Sequence, residues 1–153
     1  ATSNHPRAVL WDELVTHLTA LKAGKSVCLP VAGTRSRLRG DAQTELGPSP
    51  VVVTEGHLLF NEPRILALAD LTVFVDANVH ERVLRRLLRD TQSGKTTLEG
   101  ATEWYRHDVL PNVATYSEAW AKLADVVIPF DTRNETGIRL IADWVEREVA
   151  AAG

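Results

Sequence analysis

Two short β-branched runs, each ending in a carboxylate, constrain this chain more than any other feature: Val51-Val52-Val53-Thr54 before Glu55-Gly56, and Leu71-Thr72-Val73-Phe74-Val75 before Asp76. Unbroken apolar runs of this length are expected of strands covered on both faces in a parallel sheet. Between them, Asn61-Glu62-Pro63 is a helix start leading through Ile65, Leu66, Leu68 and Ala69, because proline suits the first helical position. Strand, helix and strand in that order predict a βαβ unit, since parallel neighbours need a crossover between them.

The flanking segments extend the pattern. Leu10, Trp11, Leu14, Val15, Leu18 and Leu21 recur at helical spacing, and Gly24 is placed to end that helix. Ser26 to Val31 reads as a short strand. Asn78 and Glu81 have capping-box spacing and open a helix whose apolar face is Val79, Val83, Leu84, Leu87 and Leu88. Thr96 and Glu99 repeat that spacing before a second helical stretch, which Pro111 should kink or divide near Leu110. Ala124 to Pro129 is a third buried strand, and Ile138, Ile141, Trp144, Val145 and Val149 mark a final amphipathic helix. With no internal repeat and no linker, the expectation is one α/β domain over residues 1–153 with at least three parallel strands.

Composition narrows the function classes. The 153 residues suffice for one domain with a real core, and 44% hydrophobic with 24% charged residues is ordinary for a soluble globular protein. Seventeen Lys and Arg against twenty Asp and Glu give a net charge of -3, so there is no general attraction for nucleic acid or for an acidic membrane. No apolar run is long enough to span a bilayer. Cys28 stands alone, which excludes an internal disulfide and, with no Cys/His spacing of the zinc type, makes a reducing cytoplasm the expected setting. The first residues have no signal-peptide pattern. The sequence contains no Met, and it reads as an excised, processed or renumbered chain.

In an open parallel sheet, ligands gather at the carboxyl ends of the strands, where Glu55 and Asp76 are expected. Either carboxylate could hold a nucleotide's magnesium through water or position a hydroxyl, or simply cap the following turn; Gly56 would leave room for a ligand beside Glu55. Arg82, Arg86 and Arg89 share one helical face, with Arg85 alongside. Four arginines in eight residues either supply the fixed positive charge that phosphoryl transfer needs or form a solvated face paired with Glu81 and Asp90. Arg35, Arg37 and Arg39 alternate, so in an extended segment they would lie together, either to bind a phosphorylated ligand or as an exposed hairpin edge. Ser93-Gly94-Lys95-Thr96-Thr97 looks like the tail of a Walker A loop, but Arg89 stands where that motif requires glycine and a helix precedes it. It is therefore not a P-loop, although Lys95 could serve an anion-binding lid ahead of a helix N-terminus. The five histidines show no metal spacing, and only His5 and His57 fall near the expected cleft.

Taken in order, Asn4-His5-Pro6, Leu18 to Val27, Pro30-Val31, Val53 to Gly56, Phe74-Val75-Asp76, Arg85 to Asp90 and Ala124 to Pro129 resemble the uridine kinase branch of the phosphoribulokinase/uridine kinase family. The resemblance covers nearly the whole chain. It implies an α/β, P-loop nucleoside kinase-like three-layer sandwich with a mainly parallel sheet, the first P-loop strand being missing from these residues. It also implies transfer of the γ-phosphate of ATP, with Mg2+, to a hydroxyl of a nucleoside or related small molecule. Glu55, Arg86 and Arg89 match catalytic positions, Asn4, His5, Arg35, Arg37 and Trp104 substrate-binding ones, and Lys95 the lid; no metal ligand is assigned.

The departures from the pattern are specific. The family's aspartate before His-Pro is Asn4, its Tyr-Asp after Pro-Val is Ala32-Gly33, a histidine is Arg35, and a glutamine is Trp104. Lid arginines beyond Arg89 are not kept, and the Walker A loop and general base would precede Ala1. Phosphate-handling positions thus survive better than base-recognising ones, which argues against uridine or cytidine as acceptor, because such sites depend on paired polar contacts. Without the central strand its neighbours would leave backbone groups unpaired, at about 1–3 kcal/mol each, so a missing N-terminal segment, a homo-oligomeric partner or a rearranged sheet is expected. The alternative to a kinase competent only with its P-loop segment is a non-catalytic, kinase-like binding or scaffold module.

Overall fold

Helical periodicity and end signals locate most elements correctly. A computed structural model of the chain describes residues 4–94, 96–112 and 119–152. These pack as two compact units, one of Ala1–Val9 with Ala69–Trp144 and the other of Leu10–Leu68 with Val145–Gly153.

In the second of these units, α1 (Trp11–Lys22) buries Leu21. It ends as Gly24 allows: with φ at 74°, this glycine adopts the left-handed conformation that closes a Schellman motif. The Lys25 N–H reaches the Ala20 carbonyl and the Gly24 N–H the Leu21 carbonyl. Strand β1 (Val27–Leu29) pairs antiparallel with β2 (Thr44–Leu46), Cys28 facing Glu45. Helix α3 (Pro63–Leu68) begins on its proline and buries Ile65, which with Leu21, Val27 and Leu58 forms this unit's core. Lys22 Nζ donates to the Leu68 carbonyl at 2.7 Å. Arg64 grips both oxygens of Glu62, at 2.8 and 3.0 Å, and reaches Asp12 at 2.8 Å. The hydrogen bond from Arg64 holds the Glu62 carboxyl below its ordinary value, and Glu62 together with Asp12 raises the Arg64 guanidinium above its own.

Two expectations for this unit need correction. Arg35, Arg37 and Arg39 are not extended: Thr34 caps a one-turn helix, α2 (Arg35–Leu38), by accepting the Arg37 N–H. At helical spacing Arg35 and Arg39 lie on one side and Arg37 on another, and the turn sits in the β1–β2 connection instead of on a strand edge. Val51 to Thr54 form no strand, and Val51, Val52 and Val53 are 40%, 44% and 84% exposed. A β-branched run needs a neighbour to satisfy its backbone, and among the described residues none pairs with it. Beside Gly56 the nearest neighbour is Leu59, whose Cγ a Cβ there would meet at 3.4 Å, an ordinary contact.

In the first unit, β3 (Val73–Asp76) and β4 (Val126–Pro129) pair in parallel, with Val73 opposite Val126 and Asp76 opposite Pro129. This is the only parallel pair among the described residues, where three parallel strands were expected. Both ends are tied. Before the strands, the Asp125 carboxylate accepts the Thr72 N–H at 2.8 Å and its hydroxyl at 2.6 Å. After them, the Asn78 N–H donates to Asp131 Oδ1 at 2.5 Å, and Arg85 donates to the carbonyls of Phe130 and Asp131. Helix α4 (Val79–Gln92) is capped by Asn78, which accepts from His80 N. Helix α5 (Leu98–Trp104) is capped by Thr97 accepting from Gly100 N, one residue beyond the expected Thr96.

From α5 the chain runs into a π-helical turn, Tyr105–Val109. The expected disturbance at Pro111 takes this form, because a proline has no N–H to give the carbonyl four residues back. Trp120 is buried in a 3₁₀ turn beside β3, and α6 (Glu135–Ala152) begins where Asn134 accepts the Gly137 N–H at 2.9 Å. Ala101, Val109, Trp120 and Ile128 are the buried apolar residues of this unit. The α/β class expected from the sequence holds. No helix among the described residues is long and apolar enough to cross a membrane.

Candidate functional site

Helices α4 and α5 pack together and bring one group of the expected residues into contact. The Arg86 guanidinium lies over the Trp104 ring, its carbon 4.3 Å from the centroid. Asp90, one turn along α4, stands 3.6 Å from Arg86 Nε and accepts a 3.0 Å hydrogen bond from Arg89 Nε. At 3.6 Å the Arg86 contact is an ion pair and not a hydrogen bond, and the buried Arg86 Nε has no hydrogen-bond partner among the described residues. Burial lowers the Arg86 guanidinium from its ordinary value, and Arg89 adds to this, while Asp90 and Tyr105 oppose it. Arginine stays charged throughout the physiological range regardless. One carboxylate thus serves two guanidiniums, leaving excess positive charge beside an aromatic face.

Arg85 on the same helix has a different role. Arg85, paired with Glu81 at 3.6 Å, holds the loop after β4 through backbone carbonyls, so it is a structural tie. The sequence pattern offered pairing with Glu81 and Asp90 as one reading of this face, and both pairs form. The Arg86–Trp104 stack gave no sequence signal, because its partners come from different helices and share no period.

The remaining candidates are more dispersed. Asn4 is buried in the first unit, and His5 caps the short turn Pro6–Ala8 by accepting the Arg7 N–H at Nδ1, 3.1 Å away. Arg35, Arg37 and Glu55 belong to the other unit. Glu55 is exposed on an irregular segment, not at the end of a buried strand, and Arg37 donates to the Asp41 carbonyl at 3.3 Å. Lys95 lies outside the described residues. Asp76 is exposed at the carboxyl end of β3. Past the carboxyl end of β4, a cleft of about 360 Å³ is lined by Asp131, Arg133 and Asn134 among others, at the edge where parallel sheets receive ligands. No three described His, Cys, Asp or Glu side chains cluster to hold a metal, so magnesium is assigned to none of them.

The sequence model of the phosphoribulokinase/uridine kinase family matches residues 1–137. The chain belongs to this family. As a member it is 34% identical over 148 residues to a uridine kinase of Chloroflexus aurantiacus, covering 97% of this chain and 71% of that protein. It is 30% identical over 144 residues to a uridine kinase of Oceanobacillus iheyensis, covering 94% and 69%. Against a uridine kinase of Haemophilus influenzae the figures are 33% over 138 residues, 90% and 65%. The family carries the P-loop kinase fold, and the mixed α/β structure with its parallel β3–β4 pair agrees with it.

Proposed function

We propose that this chain is the substrate- and phosphate-handling part of a uridine kinase-like phosphotransferase, which moves the γ-phosphate of ATP to a hydroxyl of a nucleoside or related small molecule. The observation that carries this reading is the Arg86–Arg89–Asp90 group beside Trp104, in a member of a family whose relatives here are named uridine kinases. Phosphoryl transfer requires positioned cations more than covalent chemistry from the protein. Arg86, already desolvated on one face, acts on phosphate oxygens more strongly than a fully hydrated cation would. Arg89 supplies the second charge and Glu55 matches the family's third catalytic position, while Asn4, His5, Arg35 and Arg37 match its substrate-binding positions and Lys95 its lid. The 153 residues contain no complete Walker A motif, so turnover requires a phosphate-cradling loop from outside them. ATP is the phosphate donor, and magnesium would neutralise its phosphates when bound.

The test is acceptor-dependent release of ADP by the protein purified at its native length, over a panel of nucleosides and simpler polyols. Release with at least one hydroxyl acceptor, falling about 100-fold or more in R86Q as expected for loss of a transition-state cation, supports the reading. Saturable acceptor binding without ADP release would replace it with the non-catalytic binding module.

A further inference from the structure

We infer that Trp104 is a positioning residue that fixes the Arg86 guanidinium in advance and keeps one of its donor edges open for an anionic oxygen. The inference rests on the phosphate-handling reading of Arg86 given above.

Arginine has a long stem whose freedom must be lost whenever the head is held by a ligand. Here the head is already seated, with one face against the indole at 4.3 Å and about one third of the side chain still exposed. Stacking occupies a face and leaves the in-plane N–H groups available, since guanidinium donors point outward in the plane. Nε lies in that plane but is buried, beyond a ligand's reach, and meets no acceptor within hydrogen-bond distance among the described residues; the donors left for a ligand are the terminal Nη groups, which are not enclosed in this way. Asp90, the nearest carboxylate, stops at 3.6 Å and is committed to Arg89. With one face stacked and Nε enclosed beside Asp90, an anionic oxygen meets the guanidinium at its terminal Nη donors, in the plane of the head.

Trp104 is itself held firmly. It is the last residue of α5, which Thr97 caps at the other end, and the π-helical turn Tyr105–Val109 follows it directly. An aromatic seat works through the ring face and not through a polar group. Phenylalanine should therefore replace Trp104 in this role, whereas leucine of similar apolar character should not.

The experiment combines two readouts on the protein at its native length. In ¹⁵N-labelled protein, the Arg86 Nε–H resonance, identified by its loss in R86Q, should be shifted upfield by the indole ring; the shift should survive in W104F and vanish in W104L. Titration calorimetry with inorganic tripolyphosphate should show binding lost in R86Q, weakened about tenfold in W104L, the factor expected for a modest preorganising contact, and nearly unchanged in W104F. Absence of the ring shift in wild-type protein overturns the seat. Tripolyphosphate binding that is lost in R86Q but unchanged in W104L overturns the positioning role alone. Wild-type protein that fails to bind tripolyphosphate overturns the phosphate reading of Arg86 and this role with it. Should W104L melt below the assay temperature, the ring shift in wild-type protein and equal affinities of wild type and W104F decide the question.

Discussion

Asp125 and Thr72 show how one carboxylate can hold a strand pair. The carboxylate accepts two hydrogen bonds from Thr72, and the Asp125 N–H returns one to the Thr72 hydroxyl at 3.0 Å. The two bonds from Thr72, side chain first and backbone second, lower the Asp125 carboxyl below its ordinary value of 3.8. A carboxylate depressed in the folded state stabilises fully above its unfolded value and loses that contribution as pH falls through the folded one. D125N should therefore melt lower than wild type at pH 6, and the gap should close as pH drops below about 4; melting curves from pH 7 to 2.5 check this. The sequence marks Ala124 to Pro129 as a strand but is silent on this contact, because its partner is 53 positions away and no local pattern joins them. Arg86 was legible as one of a basic group, while its seat on Trp104 was not, for the same reason.

Helix ends were read well wherever a local rule decides them. Gly24 ends α1 with a positive φ and open space around its missing side chain, so G24A should destabilise only through backbone strain, by about 1 kcal/mol. Gly137 differs: a Cβ there would lie 3.0 Å from Ile128 Cγ2 and 3.2 Å from Asn134, where α6 starts against β4. G137A should cost more, about 1–3 kcal/mol by overpacking. Urea unfolding of both variants orders the two effects, and an unchanged midpoint for G137A would mean that α6 shifts freely on β4. Elements governed by non-local partners were read less well. Val51 to Thr54 has the composition of a central strand, yet composition states only a preference for a pleated, covered surface. Arg35 to Arg39 alternates in sequence, but the Thr34 cap and one helical turn override the alternation.

The whole chain divides into two units, each with a small core, and the family fold was legible because several short matches occur in the right order along it. The site was legible only in part: residue types survive in sequence, but which of them meet depends on packing between α4 and α5. The apolar run at Val51–Val53 is the most exposed consequence of the strand that does not form. V53K should leave the melting temperature within a few degrees of wild type, since exposed positions change stability by about 0.5 kcal/mol or less. It should also lower both dye binding to exposed apolar surface and light scattering on concentration; a large fall in melting temperature would show that Val53 is packed. The ties at the two ends of β3 and β4, Thr72 to Asp125 and Asn78 to Asp131, each join residues 53 apart. Closing a loop of that length carries a length-dependent entropy penalty of about 3.5 kcal/mol before either tie is made. Helices α1 and α4 can form from local contacts in microseconds, whereas the parallel pair must await an encounter between distant segments. Since the ties close only after the strands have met, they act as a latch on the exit route, slowing unfolding while leaving the folding rate largely to the search that precedes them.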